Sequence, residues 1–242
     1  MTWLKSMTLA AVLTTGAAAS EGVVLLHGLC RTKASMAKMQ AALTTAGYVV
    51  LNDGYRSRSA GIESLSEAAV GAAMRHPRLA ACTRIHFVAH SLGGLLVRSY
   101  FARHPDPRLG RVVMLGPPNQ GSEVVDKLGA WWAFRMLNGP AGSELGTAKE
   151  AMPNRLGPVA FEVGVIAGDR SLNWINSLMI HGRDDGKVAV ARTRVAGMSD
   201  HLVVHATHPF LMKNNQVIAC TISFLKTGSF LQPQPQHRPA SQ

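Results

Sequence analysis

Residues 85–101 constrain the fold of this 242-residue chain more than any other stretch. The apolar run Ile85-His86-Phe87-Val88 leads into Ala89-His90-Ser91-Leu92-Gly93-Gly94, and the helical stretch Leu95-Leu96-Val97-Arg98-Ser99-Tyr100-Phe101 follows at once. A strand that passes through one tight turn straight into a helix brings the two backbones almost into contact. Small residues two positions before and two after the tip of the turn relieve that crowding, and Ala89 and Gly93 hold those places. The geometry pushes the Ser91 hydroxyl clear of the sheet edge.

Apolar runs alternate with amphipathic stretches on both sides of this unit. Strands are predicted at 23–26, 48–51, 85–88, 112–115, 161–166 and 201–204. Helical periodicity covers 36–46, stopping at Gly47, then 62–74, the stretch after Ser91, and a final helix from about Pro209 to Leu225. Strands that are apolar almost throughout, separated by helices, predict an α/β fold: a doubly wound, mostly parallel sheet of about six strands with helices on both faces. The length suits one domain, placed at 21–227. A Gly-broken insertion at 119–158 carries Trp131, Trp132 and Phe134, which serve either as a lid or acyl-binding wall or as packing for a helical excursion. The polar Gln/Pro-rich tail at 228–242 is expected to be disordered.

The first twenty residues have the layout of a secretory signal peptide. Lys5 is the sole charge before Glu21, an apolar run covers 7–13, and Ala17-Ala18-Ala19-Ser20 offers small residues for cleavage. The expectation is an exported protein, and removal of the leader lowers the formal charge of +11 by one. The 25 Lys and Arg residues are scattered singly against 14 Asp and Glu, without aromatic interleaving. That pattern argues against a nucleic-acid partner and admits transient contact with an anionic membrane surface. Cys30, Cys82 and Cys220 lack metal-ligand spacing, so no metal is expected, and a bridge between Cys82 and Cys220 is conceivable in an exported chain.

A serine hydroxyl near neutral pH is a weak nucleophile. It needs a base, a group that orients the base, and donors for a developing oxyanion. In a doubly wound sheet these gather at the carboxyl ends of the strands, in chain order Ser, acid, His for this kind of turn. Three acids follow a late strand: Asp185 is favoured, because Gly186 permits a turn that aims its side chain inward, ahead of Asp184 and Asp169. For the base, His208 lies just past the sixth strand, with His205 as the alternative, while His201 opens that strand and reads as structural. His90 adjoins the serine, where the turn directs neighbouring side chains apart, so it reads as a packing or hydrogen-bonding residue and not the base, and His27 reads as a residue that orders its own loop. The oxyanion donors are expected to be the backbone amides of Leu92, at the start of a helix, and Leu29, after the turn allowed by Gly28.

These parts together resemble the α/β-hydrolase superfamily, and within it the small bacterial lipase-like and esterase-like members. The resemblance is carried by His27-Gly28-Leu29 and Ala89-His90-Ser91-Leu92-Gly93-Gly94, and is supported by Gly116-Pro117-Pro118-Asn119-Gln120-Gly121-Ser122 and Asp184-Asp185-Gly186-Lys187-Val188. It implies a cofactor-independent serine hydrolase that cleaves a small-molecule or lipid carboxylic ester through an acyl-enzyme. Alternatives are an acyltransferase or thioesterase on the same groups, or a silent hydrolase fold that binds lipid. Little chain precedes the His-Gly strand after the leader, which implies a minimal sheet lacking the family's usual first two strands.

Overall fold

The computed structural model describes residues 20–230. The expected leader at 1–20, apart from Ser20, and all but the first three residues of the expected tail lie outside the described residues. In chain order the elements are β1 (Glu21–Leu26), α1 (Ala37–Thr45), β2 (Val49–Leu51), α2 (Ile62–Ser66), α3 (Ala72–Met74), β3 (Arg84–His90) and α4 (Leu92–Phe101). There follow β4 (Leu109–Leu115), α5 (Glu123–Leu128), α6 (Trp132–Ser143), α7 (Met152–Arg155), β5 (Val163–Gly168), α8 (Trp174–Ser177), β6 (Asp200–Val204) and α9 (Asn215–Thr227). A π-type turn at Glu67–Gly71 joins α2 to α3, so the helix expected over 62–74 is one rod.

The six strands form one sheet in the order β2-β1-β3-β4-β5-β6, with every neighbouring pair parallel. This is the minimal α/β-hydrolase sheet. Its strands are apolar throughout because both faces are buried. Val24, Leu26, Phe87, Ala89, Val112 and Met114 turn to one face, under α2, α3 and α4. Val23, Leu25, Val88, Val113, Leu115 and Ile166 turn to the other, under α1 and α9. Cys82 belongs to the first face and Cys220 to the second, so the bridge conceivable from sequence does not form.

Winding reverses between β1 and β3. From β1 the chain steps outward to β2, returns to β3, and then proceeds through β4, β5 and β6. Loops leaving β1 and β3 therefore part in opposite directions and open a crevice at the carboxyl edge, the usual place for a ligand in such a sheet. The final helix differs from expectation. Residues His208–Lys213 form a 3-10 turn, and α9 starts only at Asn215, where the Asn214 side chain accepts from the amides of Gln216 and Val217. An asparagine cap thus sets the helix start in place of Pro209, leaving His208 as the first residue of the 3-10 turn ahead of it.

Candidate active site

Ser91 stands at the turn between β3 and α4 with φ 53° and ψ −121°. A non-glycine residue in that region stores on the order of 1–3 kcal/mol of strain, which the surrounding structure must hold. The holding contacts are visible. Ser91 N–H donates to Leu115 O at 2.9 Å, and Gly94 N–H donates to Ser91 O at 3.0 Å. A Cβ on Gly93 would sit 3.0 Å from both Cβ and O of Leu26, so β1 and α4 meet there with no room for a side chain. Across the crevice, a Cβ on Gly28 would lie 2.7 Å from His90 Nδ1 and 3.1 Å from Ser91 Cβ. The two loops expected to supply backbone donors are thus pressed together by glycines.

Leu92 is the first residue of α4, where helix geometry leaves the N–H without an intrahelical acceptor. In the opposing loop, Arg31 N–H donates to Gly28 O and Cys30 N–H to Ser57 Oγ, and no hydrogen bond of that loop among the described residues uses the amide of Leu29. Cys30 itself has φ 55°, a left-handed kink that lets this loop fold back over the crevice.

Asp185 is buried, and its loop is shaped around its carboxylate. Oδ1 accepts from the amides of Lys187 at 3.0 Å and Val188 at 2.9 Å, while Oδ2 accepts from His208 Nδ1–H at 2.7 Å. The His208 amide also donates to Asp185 O at 2.9 Å. Because Nδ1 carries the proton in this bond, the neutral ring keeps the lone pair on Nε2. Below the pair lies Gly116 at φ +57°, where a Cβ would come within 3.0 Å of Asp185 Oδ2 and 3.1 Å of His208 Nδ1. His208 and Ser91 both line one cavity of about 340 Å³, walled by Leu29, Val125, Phe134, Leu137 and Val188, with Arg31 and Lys187 at its margin.

The other sequence candidates take different places. Asp184 accepts from Ser177 Oγ and from the Gly186 amide, and so caps the loop. Asp169 and His205 find each other instead: His205 Nδ1 lies 3.1 Å from Asp169 Oδ1, and Arg183 holds the other carboxylate oxygen. Burial pushes the Asp169 carboxyl up, but the bonds from Arg183 and His205 outweigh it and hold it below the ordinary value. His201 donates to Thr193 Oγ1, and burial pushes its ring down to about 4. Both nitrogens of His27 are spent, Nδ1–H on Gly28 O and Nε2 on the Tyr55 amide, and the ring stacks on Tyr55 at 4.4 Å. That leaves it as the organiser of its loop.

His90 takes the hydrogen-bonding place expected of it, while two further features, at Ser122 and Arg98, escaped the sequence. His90 Nε2–H donates to the backbone carbonyl of His208 at 3.0 Å, pinning the loop that carries that ring, and burial, then the nearby His208, holds its own ring neutral. Ser122 Oγ donates to Lys187 O, tying the start of α5 to the Asp185 loop. Buried Arg98 of α4 donates to carbonyls of Asn119, Pro153 and Gly157, and burial lowers it to about 10. The phrase Gly116–Ser122 drew attention to the Ser122 loop without its bond to Lys187, whereas nothing local marks Arg98. Among the described residues, no group of three or more His, Cys, Asp or Glu is arranged to hold a metal ion.

Residues 22–153 match the family described as palmitoyl protein thioesterase, a stretch from β1 through the Ser91 turn to α7. No curated protein matches the chain. Among solved structures, the lipase BlEst2 of Bacillus licheniformis in its mature form superposes with a TM-score of 0.67 at 18% identity, over 88% of this chain and 94% of that one. Phospholipase PlaB from Legionella pneumophila gives 0.66 at 17% identity, over 87% of this chain and 57% of the other. The metagenomic carboxyl esterase MGS0156 gives 0.63 at 17%, over 88% and 72%. Identities this low speak for the fold, and the family match spans more than half of the sequence. A minimal parallel sheet, a strained serine at its switch point and that match agree: the chain belongs to the palmitoyl protein thioesterase family, a carboxylic-ester hydrolase of the α/β-hydrolase superfamily.

Proposed function

We propose that the protein cleaves acyl esters and thioesters by two-step acyl transfer, with Ser91 as nucleophile, His208 as base and Asp185 as its orienting acid. The observation that carries this reading is the 2.7 Å bond from His208 to the buried Asp185, at the edge of the cavity that Ser91 also lines. The family match ends before both residues, so their roles rest on this geometry. His208 Nε2 takes the proton of Ser91 Oγ as that oxygen attacks the carbonyl carbon. The Leu29 and Leu92 amides receive the negative charge that forms on the carbonyl oxygen, each worth about a hundredfold or more in rate. His208 then passes its proton to the departing alcohol or thiol as the carbon–oxygen or carbon–sulfur bond breaks. Water, deprotonated by the same ring, resolves the acyl-enzyme and restores Ser91.

The leaving group is where a second reading has support, because the matched family is named for thioesters. The apolar walls at Phe134 and Leu137 give an acyl chain a place to lie, so these two side chains are the part of the 119–158 insertion that binds substrate. Labelling by a fluorophosphonate probe, lost in Ser91→Ala, tests the nucleophile. A matched pair of oxygen and sulfur esters of one acyl chain then ranks the leaving groups by kcat/KM. If Ser91→Ala keeps its turnover, the assignment is wrong. We further propose that residues 1–20 direct export and are then removed; N-terminal sequencing of protein recovered outside the cytoplasm, beginning near Glu21, tests that step.

A further inference from the structure

Nine large apolar side chains stand exposed among the described residues, and eight of them fall in two short segments. One is the start of α6, where Trp131 and Trp132 are 69% and 74% exposed and Met136 and Leu137 follow. The other runs through α8, with Trp174 and Leu178 at 71% and 74% beside Leu172 and Ile175. Exposed apolar residues scattered singly need no explanation, but a contiguous patch of this kind marks an interaction surface.

The two segments are joined. Leu128 and Phe134 share a small apolar cluster with Met179 and Ile180. Each segment is also attached to the cavity: α6 through Phe134 and Leu137 in its wall, and α8 through Ser177 Oγ and Asn176 Nδ2, which donate to Asp184 Oδ1 and Gly186 O in the loop that carries Asp185. Together they make an apolar rim beside the cavity, with α6 in its wall and α8 bonded to the Asp185 loop, whose Lys187 and Val188 line it.

The charge inside the two segments has one sign, and the acidic residues at their ends are engaged within the protein: Asp126 by Thr147, Glu144 by the Ile62 amide, Asp169 by Arg183 and Asp184 by Ser177. From Lys127 to Ser143 the charged residues are Lys127 and Arg135, and from Arg170 to Arg183 they are those two arginines, of which Arg183 is held by Asp169. Arg31 and Lys187 stand at the cavity margin, and Arg58 donates to Leu137 O. A symmetric contact with a second copy would set these cations against their own images. A negatively charged lipid surface complements both features at once, since apolar side chains enter the acyl boundary while basic residues meet the headgroups. No described helix is long and apolar enough to cross a membrane, so the contact would be peripheral.

We propose that the rim formed by 131–137 and 172–178 docks the protein on an anionic bilayer and sets the cavity mouth over acyl chains held there. The docking stands apart from the catalytic reading; only the delivery of an acyl group to Ser91 rests on it. The test uses the full chain as Ser91→Ala, sedimented with vesicles of phosphatidylcholine alone or with about a third phosphatidylglycerol. Binding to the anionic vesicles is expected to exceed binding to neutral ones about tenfold, to weaken with added salt, and to fall about tenfold again when Trp132→Ala and Trp174→Ala are combined. With Ser91 intact, that double variant should hydrolyse a water-soluble nitrophenyl acetate within about twofold of the parent, yet lose about tenfold on a long-chain ester embedded in anionic vesicles. Equal sedimentation of parent and double variant, or none by either, overturns the proposal. So does a dimer in light scattering that the double variant dissolves, because the rim would then be covered by a second copy. Loss of acetate hydrolysis in Ser91→Ala is read separately, and its failure would strike the catalytic assignment while leaving the docking result intact.

Discussion

His205 and His208 leave the end of the same strand, β6, and each meets an aspartate through Nδ1. His208 is buried against a buried Asp185, whose remaining oxygen takes two backbone amides. His205 is 75% exposed, its aspartate is shared with Arg183, and water reaches the ring freely. In water the mutual attraction of such a pair is weak and screened, and a guanidinium already neutralises the carboxylate that would steady an imidazolium. In the buried pair the carboxylate is held in place by amides, and the charge it offers is felt at low dielectric. The lesson is that a histidine and an aspartate in contact do not make a catalytic relay. The relay proposed above rests on burial, a carboxylate held by backbone amides and a serine at the same cavity; His208 has all three and His205 has none.

Substitution breaks the comparison most sharply at the bases. His208→Ala is expected to lower kcat on the order of 10⁴-fold or more, and His205→Ala to leave it within about twofold, in steady-state assays on one soluble ester. If the two variants lose similar activity, the pairs have been ranked wrongly. At the acids, Asp185→Asn should lower kcat on the order of 10³- to 10⁴-fold, since an amide in that place can turn its NH₂ to His208 and favour the wrong tautomer. Asp169→Asn should change kcat little and cost about 1 kcal/mol or less of stability by chemical denaturation, because both cationic partners of this carboxylate stand in water.

Gly116→Ala sharpens the contrast, because only the buried pair leans on that residue. A side chain at φ +57° costs about 1–2 kcal/mol, and its methyl would press on Asp185 Oδ2 and His208 Nδ1. A drop in kcat at unchanged KM, alongside the lower denaturation midpoint, is the expected signature.

The smallest effect is on stability against pH. Burial holds His27, His90 and His201 below the ordinary histidine value, His201 at about 4. Each binds its proton less readily folded than unfolded. Their contribution is therefore fully present above about pH 6.5 and is lost as pH falls toward their folded values. Thermal melts should show Tm declining from pH 6.5 to 4, with a shallower slope in His201→Asn. A parallel slope in that variant would remove His201 from the account.

Much of the scaffold was legible because its causes are local or periodic. Strands buried on both faces must be apolar throughout, and a serine at a strand–helix turn must have small neighbours, so β1, β3 and α4 could be read directly. The Asn214 cap was equally visible, and the expectation of a helix from about Pro209 did not use it. The α8 part of the rim, 172–178, went unread because a short run of Leu, Trp and Ile resembles any core segment until its surroundings are known.

The sequence alone determined the sheet, its winding and the placement of Ser91, since those follow from side-chain periodicity and steric demand within a few residues. Only the tertiary structure decided which aspartate meets which histidine, which face of the sheet each cysteine occupies, and that two apolar segments some forty residues apart share one rim. Those outcomes depend on contacts between residues far apart in the chain, and on burial that converts a common pair of side chains into either a screened surface contact or a charge held out of water.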